Sequence, residues 1–215
     1  MRSQQVKNLY YASIGKLSIF SLYWHKKVRP HVFNNSFINV GCGPKYIDGM
    51  INVDGNILCR KDIWLDVTLG LPFPSNSLKG IYASHVLEHF GGKRVRKLLS
   101  EFQRVLKQGG AVRLVVPSLE YAIRAYQGMD LTKLPEWPDK YDSLGGRFNN
   151  FMLCRNQHFM MFDFGLMEEL LKETGFSGIF KQAPHSSLYF GKNHMNFESD
   201  PAIANSSLYV EAVKE

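Results

Sequence analysis

The stretch Phe37-Ile38-Asn39-Val40-Gly41-Cys42-Gly43, with Gly49-Met50-Ile51-Asn52-Val53-Asp54-Gly55 a few residues on, decides the fold. Each half is a short run of strand-forming residues halted by glycine, or by aspartate and glycine, as where a strand meets a turn. The same pattern continues outward. Ile63-Trp64-Leu65 ends at Asp66, Gly80-Ile81-Tyr82-Ala83 at Ser84-His85, and Ala111-Val112-Arg113-Leu114-Val115-Val116 at Pro117. Between the last two, Lys93 to Lys107 carries Val95, Leu98, Leu99, Phe102, Val105 and Leu106 at helical spacing, with Gly109-Gly110 as its stop. Gly165 to Thr174 predicts a second helix stopped by Gly175, and Ser207 to Val213 alternates as a late strand. Strands punctuated by helices predict an α/β domain with a largely parallel sheet. The seven residues Pro44 to Met50 between Gly43 and Ile51 are too few for an ordinary crossover helix at ~1.5 Å rise per residue plus turns. The first crossover helix is therefore expected to be shortened or absent.

Ligands of such a sheet bind at the carboxyl ends of its strands. The residues there are Gly41-Cys42-Gly43, Asp54, Asp66, Ser84-His85 and Pro117-Ser118. Glycine lets a backbone approach a ligand closely, and a carboxylate accepts hydrogen bonds from ribose hydroxyls, so the set suits a nucleoside. Aspartate also ends strands simply as a turn former. The ordered recurrence across four strands is what favours a cofactor site.

The 215 residues fit one domain, and 45% hydrophobic with 21% charged residues is ordinary globular composition, against a disordered or fibrous chain. Cys42, Cys59 and Cys154 are odd in number and form no CxxC pair. A disulfide framework and a zinc finger are thus unexpected, no metal is expected, and a cytoplasmic compartment fits best. Of the net charge of +7, residues 1–36 hold +6 and no acidic side chain. The remaining body is nearly neutral, so no nucleic-acid partner is expected.

Residues 1–36 form a basic, aromatic, helical segment, and residues 37–215 the main domain. Lys16 interrupts the apolar run of the segment and no small-residue cleavage site follows, which argues against a signal peptide. The run also falls short of the ~20 apolar residues of a spanning helix. It suits a helix packed on its own domain, or one in peripheral contact with an anionic membrane surface through Leu, Phe and Trp.

These residues resemble the class I S-adenosylmethionine-dependent methyltransferases from about Phe37 to Pro117, and more weakly beyond. Ile38-Asn39-Val40-Gly41-Cys42-Gly43 looks like the family's first motif. Leu71-Pro72-Phe73-Pro74-Ser75-Asn76-Ser77, continuing through Ile81 to His89, looks like its fourth-strand region, and Arg104 to Gly110 like the approach to its fifth strand. Gly49 to Asp54, His158-Phe159, Leu166 to Leu171, Gly175-Phe176 and Ser207 to Ala212 are similar to a small group linked with sugar and envelope-polysaccharide pathways. The chain departs from the family at Asn39, Lys45, Lys79 and Gln108. The resemblance implies a Rossmann-like sheet with an antiparallel last strand. It also implies S-adenosyl-L-methionine as cofactor, and methyl transfer to a hydroxyl of a sugar, glycan or other small molecule. Gly41, Cys42 and Gly43 would then lie against the methionine part, Asp54 on the ribose, Asp66 and Val67 at the adenine, and Ser84 and His85 near the sulfonium.

Rival assignments share these residues. His85-Val86-Leu87-Glu88-His89 spells H-x-x-E-H, a zinc protease motif whose histidines share one face of a helix. A non-catalytic cofactor-binding protein would keep the fold without the chemistry. Residues 118–162 are the least regular part of the body, and form an insertion expected to cover substrate. Their aromatics suit a sugar ring or a core beneath a loop. Histidine titrates near neutrality and can accept the proton of an attacking hydroxyl, so His85 and His158 are the candidate bases. The oligomeric state is left open.

Overall fold

The structure, a computed structural model, describes residue 10 and residues 13–28, 36–191, 198 and 201–215. Seven strands are β1 (Phe37–Val40), β2 (Ile51–Asp54), β3 (Ile63–Trp64), β4 (Leu78–Ser84), β5 (Leu106–Pro117), β6 (Ser177–Gln182) and β7 (Ser207–Val213). They form one sheet in the order β3-β2-β1-β4-β5-β7-β6. Ladders among β1 to β5 are parallel, and β7 runs antiparallel between β5 and β6. The expected Rossmann-like sheet is therefore present, with its antiparallel last strand. The strand order reverses between β1 and β4, where open α/β sheets place their ligands.

Residues of period two sort onto the two faces. Ile38, Val40, Ile81, Ala83, Val112, Leu114, Val210 and Ala212 join one buried cluster with helix α2 (Gly92–Val105) and helix α5 (Phe164–Glu173). Asn39, Asn52, Tyr82, Arg113, Tyr209 and Glu211 lie on the opposite face and are also buried. That face is covered by loops. Unlike a helix, a loop brings backbone groups that need partners, which accounts for the polar alternate positions.

The connection from β1 to β2 contains turns and no helix, as its length predicts. The Asn39 side chain donates to the Lys45 carbonyl and to Asn52 Oδ1, both at 3.0 Å. Asn52 in turn accepts from Ile47 N–H at 2.9 Å and donates to the Ile47 and Met50 carbonyls. Two buried amides thus satisfy the backbone that a helix would satisfy internally. Ile47 and Met50 fill the space against Tyr82, Phe190 and Tyr209. Farther along the same face, Arg113 is fully buried between Glu198 and Glu211, at 2.8 and 3.1 Å. It also donates to the Ala183 and Ser186 carbonyls, pinning that loop to the sheet.

Sequence boundaries shift where tertiary bonds intervene. The helix expected over Lys93 to Lys107 ends at Val105, because Asn76 and Ser77 N–H groups cap the Arg104 and Val105 carbonyls and the chain enters β5 at once. α5 runs one residue ahead of the predicted span. Asp163 caps it through Leu166 N–H at 2.8 Å. It closes in a Schellman turn at Gly175, whose φ is +85°.

Residues 118–162 are more regular than expected. They hold α3 (Leu119–Gln127), capped by Ser118, and α4 (Leu144–Leu153), capped by Ser143. Gly145 and Gly146 fall in the first turn of α4, where breakers are tolerated. A Cβ on Gly146 would meet Tyr141 at 2.6 Å. The two helices share a small core of Ala122, Ala125, Leu134 and Phe151, while Trp137 and Phe159 stay exposed. A bridge between Ser118 and Phe162 ties the segment's ends together.

Helix α1 spans Ile14–Val28. Gly15, Ser18 and Leu22 face the body, and Ser18 Oγ accepts from Asp66 N–H at 2.9 Å. The opposite side leaves Phe20 71% and Trp24 61% exposed, beside Tyr23, Lys16 and Lys27. The rest of the basic 1–36 segment, residues 1–9, 11–12 and 29–35, lies outside the described residues. Among the described residues no helix is long and apolar enough to cross a membrane.

Candidate active site

The turn after β1 is built to approach something. Gly41 and Gly43 adopt φ of +65° and +51°, values that favour glycine. A Cβ on Gly41 would strike Val86 at 2.5 Å, so packing alone demands glycine there. A Cβ on Gly43 would meet nothing within 4 Å, which leaves an open cradle above that residue. Cys42 contributes backbone only. Its thiol is buried against the Arg60 carbonyl, and burial, helped by the Asp54 charge, pushes its pKa up to about 12.

Asp54 closes the cradle. It is 8% exposed at the end of β2. Oδ2 accepts from Gly43 N–H at 2.7 Å and Oδ1 from Asn56 N–H at 2.6 Å. A carboxylate offers about four acceptor sites, so each oxygen can take one more donor. A ribose presents two neighbouring hydroxyls, which fit that residual capacity. At the end of β3, Asp66 Oδ1 accepts from Thr68 N–H and Oγ1 at 3.0 and 2.8 Å. Asp66 Oδ2 takes no hydrogen bond among the described residues. Val67 follows in a buried turn. Tyr10 reaches the same side, donating to the Gly55 carbonyl at 2.7 Å and accepting from Trp64 Nε1 at 3.2 Å.

β4 ends at half-buried Ser84, and His85 follows with φ of +55°, its N–H bonded to the Val115 carbonyl. The ring of His85 lies between two groups. Nδ1 is 3.2 Å from Glu88 Oε1, and Nε2 is 3.3 Å from Ser207 Oγ, at the start of β7. Glu88 is wholly buried, and neither of its oxygens takes a well-aligned hydrogen bond among the described residues. His89 and His158 close the group, with ring centroids 5.2 Å apart. Burial lowers the His158 pKa from its usual value, partly offset by Glu88 and by the Met152 carbonyl and reinforced by His89 and His85.

The structure therefore brings His85 and His158 into one cluster. The H-x-x-E-H protease assignment is overturned. His85 sits in left-handed backbone before a three-residue 3-10 turn, Leu87–His89, so His85 and His89 share no helical face. Ser207 and Tyr10 were not singled out in the sequence as site residues. Ser207 reads as the first residue of an alternating strand, and only strand pairing carries it to His85. A shallow cleft lined by Phe37, Lys79, Gly109 and Tyr189 opens at the amino-terminal end of the strands and shares no residue with this edge.

Residues 55–114 match the family of methyltransferase domains. No curated protein matches the sequence. Among solved structures, a SAM-dependent methyltransferase from Archaeoglobus fulgidus is similar at TM-score 0.52 and 15% identity, covering 97% of this chain and 99% of that one. A Thermotoga maritima SAM-dependent methyltransferase, described as a possible histamine N-methyltransferase, reaches 0.54 at 12% identity over 100% of this chain and 97% of its own. Phosphoethanolamine N-methyltransferase 2 of Haemonchus contortus, solved with S-adenosyl-L-methionine, gives 0.51 at 15% identity over 90% of this chain and 52% of its own. At such identities the likeness is one of fold: this chain has the fold of SAM-dependent methyltransferases.

Proposed function

We propose that the protein is an S-adenosylmethionine-dependent methyltransferase acting on a hydroxyl of a sugar or other small molecule. The observation that carries this is the open space at Gly43, with Asp54 bonded to its N–H, at the same carboxyl edge of the sheet where β4 ends before His85. Gly41-Cys42-Gly43 would receive the amino-acid end of the cofactor, Asp54 the ribose, and Asp66 Oδ2 with Val67 the adenine. The cofactor supplies an activated methyl group. The chain then has to align a nucleophile and take its proton. His85 suits that task. Glu88 lies within ion-pair distance of its Nδ1, and the contact at Nε2 is the weak one to Ser207, which an acceptor hydroxyl can replace. His158 belongs with Glu88 and His89. Exposed Trp137 and Phe159 from the covering segment supply aromatic faces for the CH groups of a sugar ring, consistent with a polysaccharide setting.

Calorimetry with S-adenosylmethionine, followed by mass-detected methylation of a panel of sugars and nucleotide sugars, tests this directly. Absence of cofactor binding at millimolar concentration refutes the proposal. Binding without transfer to any hydroxyl selects the non-catalytic alternative.

The outward side of α1 favours a second feature. Phe20, Tyr23 and Trp24 stand beside Lys16 and Lys27, a combination that suits the interface of an anionic bilayer. The full chain is expected to bind phosphatidylglycerol vesicles at low salt and to lose them at high salt. Equal binding by a Phe20→Ser/Trp24→Ser variant refutes this contact.

A further inference from the structure

We propose that Glu88, His89 and His158 form a site for one divalent transition-metal ion of the zinc class, with an open coordination position toward the carboxyl edge of the sheet. Their donor atoms all lie within 4.8 Å of one another. A tetrahedral ion at ~2.0–2.1 Å from each ligand needs donors ~3.3–3.4 Å apart. Side-chain rotation over about an ångström closes the difference.

Three features of the donors point to a cation. First, Glu88 is 0% exposed and unsatisfied among the described residues: His85 lies within ion-pair distance of one oxygen but out of line for a hydrogen bond, and none of their backbone N–H groups reaches either oxygen. A carboxylate in such surroundings needs a compensating positive charge. Second, His89 Nδ1 is 3.0 Å from the Gln157 carbonyl. A carbonyl only accepts, so Nδ1 carries the proton and Nε2 keeps its lone pair. The same outer bond orients ligand histidines in metal sites. Third, His158 is half-buried, and its Nδ1 atom is shut off from solvent without a well-aligned hydrogen bond.

The scaffold is also held. Phe159 N–H donates to the Glu88 carbonyl at 2.7 Å, which locks the strand of chain carrying His158 against the turn carrying Glu88 and His89. Two imidazoles and one carboxylate form the donor set of three-ligand zinc sites, and disfavour magnesium or calcium, which take oxygen ligands. The ligands differ from those of the protease motif: His158 replaces His85, and Glu88 binds rather than serving as base. An acceptor hydroxyl placed at the open position beside His85 would bind as a more acidic oxygen.

Metal binding does not depend on the methyltransferase proposal, so the two fail separately. The test uses the full chain, stripped with chelator and titrated with cobalt(II), with circular dichroism and S-adenosylmethionine calorimetry on the same samples. Visible d–d bands are expected to saturate at one equivalent and to vanish on adding zinc(II) but not magnesium(II). His89→Ala and His158→Ala should each weaken cobalt at least about tenfold, the loss typical even of an outer-shell partner. Glu88→Gln should do the same. His158 lies nearer the surface than Glu88, so its variant keeps the test alive should Glu88→Gln misfold. His85→Ala should keep the stoichiometry. The proposal is overturned if the wild-type chain gives no saturable cobalt spectrum. It is equally overturned if a folded His89→Ala/His158→Ala variant binds cobalt as tightly as wild type, as expected were Glu88 only the ion-pair partner of His85.

Discussion

Removing Asp54 separates a structural carboxylate from a ligand-binding one. In Asp54→Ala two backbone donors, Gly43 N–H and Asn56 N–H, lose partners at 2.7 and 2.6 Å. Both bonds are charge-assisted but partly open to water, so water takes over some of each loss. About 1–1.5 kcal/mol apiece gives roughly 2–3 kcal/mol of lost stability. For a chain of this length that lowers Tm by about 4–12 °C. Cofactor binding loses in addition the ribose hydrogen bonds, on the order of 1–3 kcal/mol, or about 5- to 150-fold in Kd. Isothermal titration of wild type and Asp54→Ala with S-adenosylmethionine reads that term, and thermal unfolding reads the first. Methylthioadenosine keeps the ribose and lacks the amino-acid tail, so it should suffer a comparable loss. An Asp54→Ala protein with lowered Tm but S-adenosylmethionine affinity within twofold of wild type would show that the carboxylate serves only the turn. The ribose assignment would then be wrong.

His85→Ala should lower turnover by ~10²–10⁴-fold, the usual share of a general base, with cofactor affinity unchanged. Retention of more than about a tenth of wild-type turnover transfers the work to positioning alone. Arg113→Met leaves Glu198 and Glu211 buried without their cation, and should cost roughly 3–5 kcal/mol of unfolding free energy by urea titration. A loss below about 1 kcal/mol would mean that the loop over residues 183–191 is not held by this residue. Burial alone would raise the Glu101 pKa, but bonds from Arg104 and Leu71 N–H outweigh it and hold the group below the ordinary value of 4.5. A depressed folded pKa gives stability that is present above 4.5 and is lost as pH falls through the folded value. Urea midpoints of wild type should therefore drop below pH 4.5 more steeply than those of Glu101→Gln, and parallel curves would contradict the assignment.

Much of the architecture was legible locally. Strand identity follows from short β-rich runs ended by Gly41, Asp54, Asp66, Ser84 and Pro117, because strand propensity and turn chemistry act within a few residues. Chain length alone removed the first crossover helix, since a helix needs a minimum number of residues to cross a sheet. The glycine turn and the two aspartates were recognisable for the same reason: a parallel sheet sends its strand ends to one edge, so order in sequence becomes nearness in space. The breakers Gly145 and Gly146 concealed α4, because nothing local distinguishes a glycine that stops a helix from one packed into its first turn beneath Tyr141.

Relations between distant segments were decided only by the tertiary structure. Arg113 looks like a misplaced charge inside a strand until Glu198 and Glu211 arrive from 85 and 98 residues away. His85 and Glu88 are close in sequence, yet whether they share a helix face depended on the backbone turn forced at the end of β4. His158 is 69 residues beyond His89 in number, and meets it because the covering segment returns along Glu88. Sequence periodicity reports which side of an element is buried. It carries no record of which other element covers that side, and burial among specific neighbours gives Glu88, Cys42 and His158 their chemistry.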